Sequence, residues 1–292
     1  MDINNLRAFV NVAEHGSFSL AAERLHLTQP AISKRVAVLE SELDTRLFDR
    51  IGHQVTLTEG GRQLLPRAKD MLNEVTDIKR SLANLTDQVT GTLSMGTSHH
   101  IGLHRLPPVL RKFSQYYPDV QLDIQFMGSE NACNAVEHGQ LELAIATLPT
   151  KPSPQLELTA IWNDPLCFVV GKDHPLATTH LPDLKTLSEH QAVLPTIGTY
   201  TRDILEQALT PKGITIQTGI STNYLETLKM LVSIGLGWSL LPGTLINDDE
   251  FKILQIEELQ LTRTLGVIRH QKRTLSNAAR AMLEACQKSQ SV

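Results

Sequence analysis

The chain has only three cysteines in 292 residues, Cys133, Cys167 and Cys286, far apart and in no CxxC spacing. That excludes a disulfide framework and a thiolate zinc site, and leaves buried, reduced thiols as the expectation. No run is long and apolar enough to span a bilayer, no leader-like segment opens the chain, and no low-complexity tract interrupts it. The sequence therefore points to a cytoplasmic protein with no membrane partner. Net positive charge is missing too, since the formal balance is −4 at pH 7. Any grip on nucleic acid must come from local placement. Catalytic patterns are absent as well: serines occur without a GxSxG elbow and no paired-carboxylate framework stands out, which disfavours an enzyme. His99, His100 and His104 lie close enough to raise a metal. No further Cys or carboxylate sits at useful spacing, so neither a metal nor another cofactor is expected. The length suits about two domains.

The first residues are far more specific. Leu6, Phe9, Val10 and Ala13 recur at helical spacing, Gly16-Ser17 breaks that helix, and residues 18–25 read as a short second one. Ala21-Ala22 lets another helix pack close, and His26-Leu27 leaves room only for a tight turn. Thr28 reads as an N-cap with Pro30 in the first turn. In the third helix Ile32, Val36, Leu39 and Leu43 face a core, leaving Gln29, Ser33 and Lys34 outside and Arg35 at the margin. Gln pairs bidentately with adenine, Lys reaches guanine or phosphate, and Ser adapts to either, so this face suits a major groove. Residues 47–50 and 54–58 read as extended runs around a hairpin tip, Ile51-Gly52-His53. Arg46, Arg50 and His53 are then placed for phosphate or a minor groove.

The stretch Ala21-Ala22-Glu23-Arg24-Leu25-His26-Leu27-Thr28-Gln29-Pro30-Ala31-Ile32-Ser33, followed by Leu47-Phe48-Asp49-Arg50 and Leu57-Thr58-Glu59-Gly60-Gly61, resembles the amino-terminal signature of LysR-type transcriptional regulators. Many members of that family carry a second wing arginine. Here Ile51, Gly52 and His53 follow Arg50 instead, which implies weaker wing contacts or contacts sensitive to His53 protonation. The DNA-binding set expected is Thr28, Gln29, Pro30, Ser33, Lys34, Arg35, Arg50 and His53.

Beyond the wing, Leu64, Ala68, Met71, Val75, Ile78, Leu82 and Leu85 alternate by four and three, a heptad seam with polar flanks. A narrow apolar stripe favours a partner helix, and Pro66 should bend the first turn. The resemblance implies the same pairing, and a two-fold axis suits an inverted-repeat site on double-stranded DNA. The expected partners are the chain itself, as homodimer or homotetramer, and RNA polymerase if it activates.

After a hinge at residues 88–91, short β runs alternate with helices, which argues for an α/β architecture with a mainly parallel sheet. Strands are expected near 92–95, 121–126, 143–146, 166–170, 192–195, 215–218 and 265–269. Helices are expected near 106–116, 131–138, 201–209, 223–233 and 275–287. The family fold implies two subdomains with a cleft like that of periplasmic binding proteins. The domain reading is thus a winged helix-turn-helix (1–58), a linker helix (59–87), the hinge, and an effector domain (92–292). Within the last, subdomain I is 92–161 with 265–292 and subdomain II is 162–264.

Ligands of open α/β sheets bind beyond strand ends, where helix N-termini offer free N–H groups. Thr97, Ser98, His100, Thr147, Thr199, Ser221, Thr222 and Asn223 fall at such places. The set holds hydroxyls and amides with no Arg or Lys except Arg202, and suits a small metabolite anion, with His100 adding a charge-assisted bond. The segment 98–107 resembles a branch of the family associated with leucine biosynthesis, which implies an isopropylmalate-like effector. The function expected is sequence-specific regulation under effector control. The alternative is a metabolite-binding DNA-architectural protein without gene-specific control.

Overall fold

A computed structural model of the chain describes residues 1–51, 54–246, 249–257 and 259–289, with only the backbone of Arg50, Ile51 and Gln54. Two compact units result, Met1–Leu85 and Thr86–Val292.

The first unit begins with helices α1 (Ile3–His15), α2 (Phe18–Arg24) and α3 (Gln29–Glu42). Gly16 ends α1 in the left-handed region at φ 59°, and Ser17 caps α2 by accepting from the Leu20 amide. Leu6, Phe9, Val10, Ala21, Ile32, Val36 and Leu39 close the core. Leu43, expected to join them, is the C-cap of α3 and is exposed, because the helical stripe ends there. Strands β1 (Phe48–Ile51) and β2 (Gln54–Leu57) form an antiparallel hairpin. Phe48 packs its ring on Phe9 and Phe18 at 5.4 and 5.7 Å between centroids, which ties the wing to the bundle. Glu40 of α3 holds the strand start by accepting from the Leu47 and Phe48 amides. Helix α4 (Glu59–Ala83) then runs unbroken through Pro66. Gly61 lies against the wing, where a Cβ would sit 2.2 Å from the Leu47 carbonyl oxygen.

In the second unit the order is β3 (Gly91–Thr97), α5 (His99–His104), α6 (Pro107–Tyr116), β4 (Val120–Phe126), α7 (Ser129–Glu137), β5 (Leu143–Thr147) and β6 (Leu156–Gly171). There follow α8 (Leu184–Ser188), β7 (Ala192–Leu194), α9 (Tyr200–Leu209), β8 (Thr218–Ser221), α10 (Leu225–Ser233) and β9 (Ser239–Pro242). The described part closes with β10 (Phe251–Leu254), β11 (Leu261–His270) and α11 (Asn277–Lys288).

The main sheet runs β10-β6-β11-β5-β3-β4, with β9 also on β6, and a separate pair joins β7 to β8. It is mixed, which corrects the expectation of a mainly parallel one. Only the β3 pairings with β4 and β5 are parallel within it, whereas β6 pairs antiparallel with β10, β9 and β11, and β11 pairs antiparallel with β5. Both are long strands in which the sequence showed only segments, because each passes from one packed core to another. Leu265 stands opposite Trp162, and a bulge follows between Leu265 and Gly266. There a Cβ on Gly266 would meet the Thr159 carbonyl oxygen at 2.2 Å. One core gathers Leu93, Met95, Phe113, Val267 and Met282, and another Phe168, Leu205, Trp238 and Leu240. The strand expected at 215–218 lies instead at Thr218–Ser221. Among the described residues no helix is long and apolar enough to cross a membrane.

Candidate functional site

In the first unit Thr28 caps α3, accepting from the Ala31 amide at 3.4 Å, and Pro30 lies in the first turn. Gln29 and Lys34 are exposed, while Ser33 and Arg35 are half-buried. The Gln29 amide nitrogen donates to the Ser33 hydroxyl at 3.1 Å, so the two form one polar patch at the start of the helix. The side chain of Arg50 and the whole of His53 lie outside the described residues.

Along α4 the heptad seam divides. Ala68 is buried and Leu64 half-buried, both packed in this unit's own core. Val75 is half-buried, while Met71, Ile78, Leu82 and Leu85 are exposed, with Leu85 lying past the helix end. A row of large apolar side chains left in water on one helix face is what a partner helix would cover.

In the second unit a cleft of about 530 Å³ opens where strand ends and helix N-termini converge. Ser98, His100, Thr147, Thr199 and Asn223 line it. Thr97, Ser221 and Thr222 are not in its wall: the Thr97 hydroxyl donates to the Ile145 carbonyl, Ser221 pairs in β8, and Thr222 accepts from the Tyr224 amide. Several lining side chains are already occupied. Ser98 caps α5 by accepting from the Ile101 amide. Thr199 caps α9, its hydroxyl donating to the Thr196 carbonyl at 2.9 Å. It was expected to donate to a ligand, but here that proton goes to the Thr196 carbonyl, while the oxygen accepts from the Arg202 amide. The Asn223 carbonyl oxygen accepts from the Thr196 amide.

The cleft's cation is Arg263 of β11, which corrects the expectation that only Arg202 carried charge near the site. Arg202 is turned away onto Glu206 and Thr218. Only 5% of Arg263 remains exposed. Its Nε donates to Asp164 at 2.8 Å and its Nη1 to the Thr201 hydroxyl at 3.0 Å, leaving Nη2 buried without a partner. Asp164, fully buried, also accepts from Arg105 at 3.3 Å. His100 stands 4.0 Å from the same carboxylate, and neither of its ring nitrogens has a hydrogen-bond partner. Burial and the Arg263 charge push its pKa down to about 4, against the opposing pull of Asp164. His100 is therefore neutral at physiological pH, and the ring by itself brings no positive charge to the cleft.

Helix α7 completes the wall with Gly128, Ser129, Glu130 and Asn131, and no side chain caps its N-terminus. Its first amides are thus free for an anion. Glu130 reaches across to α9, accepting from the Tyr200 amide at 2.6 Å. The mouth is apolar and aromatic, with His99 against Phe126 and Tyr224 at 5.4 and 5.3 Å. His104 pairs with Glu226 at 3.0 Å, and among the described residues no three potential metal ligands gather. Burial raises Cys133 to about 11 and Cys286 to about 12, and Cys167 is half-buried and also raised, so these thiols resist ionisation.

A winged helix-turn-helix joined to an α/β unit that carries a cleft is the build of a DNA-binding regulator with an effector-binding domain. Residues 3–62 match the bacterial regulatory helix-turn-helix protein, lysR family, and residues 86–291 match the LysR substrate binding domain. The chain belongs to the LysR family of transcriptional regulators. A relative from Azotobacter vinelandii, an uncharacterized HTH-type transcriptional regulator in the ibpB-leuC intergenic region, is 62% identical over 37% of this chain and 75% of its own length. A cysteine variant of full-length OxyR from Pseudomonas aeruginosa superposes with TM-score 0.72 at 23% identity, covering 100% of this chain and 95% of that one. CbnR complexed with its target DNA gives 0.65 at 21%, covering 99% and 100%. The effector binding domain of QuiR with shikimate gives 0.62 at 18%, covering 69% and 98%.

Proposed function

We propose that this LysR-type regulator binds an inverted-repeat site on double-stranded DNA as a homodimer or homotetramer, under the control of a small carboxylate held in the cleft. Gln29 and Ser33 meet base edges at the start of α3, and Lys34 beside them meets a phosphate. Thr28, Pro30, Arg35 and, from the sequence, Arg50 and His53 meet the backbone. Met71, Val75, Ile78, Leu82 and Leu85 pair α4 with its partner's. Contact with RNA polymerase follows if the protein activates, and the setting is cytoplasmic. CbnR, solved on its target DNA, and the QuiR domain, solved with shikimate, lend the two roles support.

The observation that carries the ligand reading is the unpartnered Nη2 of Arg263 beside the uncapped N-terminus of α7. A buried guanidinium N–H without an acceptor is costly, and a carboxylate satisfies it with a charge-assisted bond. Ser129 and Thr147 add polar groups and the mouth accepts an apolar portion. An isopropylmalate-like hydroxydicarboxylate is one member of this class, and no described lining residue selects it over other carboxylates.

Fluorescence anisotropy on matched and scrambled sites tests the DNA side. Gln29→Ala should narrow the preference for the matched site by about 1–3 kcal/mol. Equal affinity of the parent chain for both sites would favour an architectural protein and sink the proposal.

A further inference from the structure

The cleft holds two opposite charges that its internal contacts leave half-used. Of the described residues that line it, Arg263 and Glu130 alone carry a guanidinium, ammonium or carboxylate group. Arg263, almost wholly buried, keeps its Nη2 without an acceptor. Glu130, in the first turn of α7, uses only Oε1, which accepts from the Tyr200 amide at 2.6 Å. Among the described residues no donor reaches its Oε2 and no cation pairs with it. Gly128 keeps that oxygen approachable, since a Cβ there would stand 3.2 Å from Oε2. Around the mouth Phe126, Ile197 and Tyr224 leave large apolar surfaces in water.

These three features constrain the ligand more narrowly than a need for one carboxylate. A dicarboxylate that satisfied Arg263 would bring its second anion toward Glu130. A plain monocarboxylate would enclose the Glu130 charge without a counter-ion, which is costly. An ammonium group satisfies Oε2 with a charge-assisted bond, as a carboxylate satisfies Nη2. We propose that the cleft selects an amino acid with a large apolar side chain, its carboxylate on Arg263, its ammonium on Glu130 and its side chain against Phe126, Ile197 and Tyr224. A volume of about 530 Å³ accommodates such a ligand. Glu130 is then the residue that sets specificity, and through the Tyr200 amide it belongs to the α9 wall as well as to α7. The assignment rests on the cleft's role as the effector site.

Calorimetric titration of the full chain with L-phenylalanine and L-leucine tests it. Each is compared with its deaminated analogue, 3-phenylpropanoate or 4-methylpentanoate, and with its amide, which keeps the ammonium and loses the carboxylate. At least one of the two amino acids should bind saturably, and both of its analogues about tenfold more weakly. Glu130→Gln retains an oxygen for the Tyr200 amide and removes the charge. It should weaken the amino acid about tenfold and leave the deaminated acid unchanged or tighter. A deaminated acid that binds as tightly as its amino acid would overturn the ammonium contact while leaving a carboxylate effector in place. An amide that binds as tightly as its parent would remove the carboxylate effector, and this assignment with it. Saturable binding of neither amino acid, or an affinity that Glu130→Gln does not alter, would also overturn the assignment.

Discussion

His100 is buried beside a carboxylate and two arginines, yet the balance leaves it neutral, with its pKa pushed down to about 4 by burial first and Arg263 second. In the unfolded chain the same ring titrates near its ordinary value, about 6.5. Between those two values the unfolded state binds the proton and the folded state does not. Stability is therefore fully present above about pH 6.5 and is lost as pH falls toward 4. From pH 7 to pH 5 the loss attributable to this residue is about 2 kcal/mol, at 1.36 kcal/mol per pKa unit. For a unit of this size that lowers the melting temperature by roughly 4–8 °C. Urea unfolding followed by tryptophan emission measures it cleanly, because Trp162 and Trp238 both lie in the second unit. His100→Gln should lose about 2 kcal/mol less than the parent on that acidification, with His174 and the other histidines cancelling in the comparison. An equal loss in both proteins would mean that His100 keeps its proton in the folded chain.

Other consequences can be checked as directly. Arg263→Ala should abolish the effector response while leaving basal DNA affinity in place, and should cost about 3–5 kcal/mol of stability, moderated by Arg105 remaining on Asp164; thermal shift and operator titration report both. Ile78→Glu with Leu82→Glu should leave the single chain's fold intact, since both side chains are exposed, yet yield monomers in analytical ultracentrifugation with loss of operator binding. Lys34→Ala should weaken matched and scrambled DNA alike and reduce the salt slope by about 0.9 if it meets one phosphate, whereas a loss confined to the matched site would make it a base reader.

Much of this could be read along the chain, because caps and stripes are local. Thr28, Ser17 and Gly16 announced the helix boundaries of the first unit, and α3 kept Gln29 and Lys34 in water as its periodicity requires. The cleft was legible only in outline. Beginning α7 at Asn131 instead of Ser129 hid the uncapped turn that holds Ser129 and Glu130. Arg263 was missed for a different reason. It sits in β11 at the inward parity shared by Leu261 and Leu265, and a charge at such a position needs a buried partner. That parity was the available signal. Its partner, Asp164, lies directly opposite on β6, and no local pattern in the sequence links strands so far apart. Hydroxyls are ambiguous along a sequence, because Thr199, Ser98 and Thr222 also have ordinary work as caps and turn residues.

Under the proposed function, a ligand in the Arg263 cleft changes how this chain holds DNA. Native mass spectrometry of the full chain after exposure to a cellular metabolite pool, comparing wild type with Arg263→Ala, identifies the compound that depends on this arginine. Operator affinity is then titrated with that compound in both proteins. The expected result is a carboxylate retained by wild type alone, with a shift in operator affinity or footprint that Arg263→Ala does not show. An identical response from both proteins, or a retained ligand with no carboxylate, would contradict it.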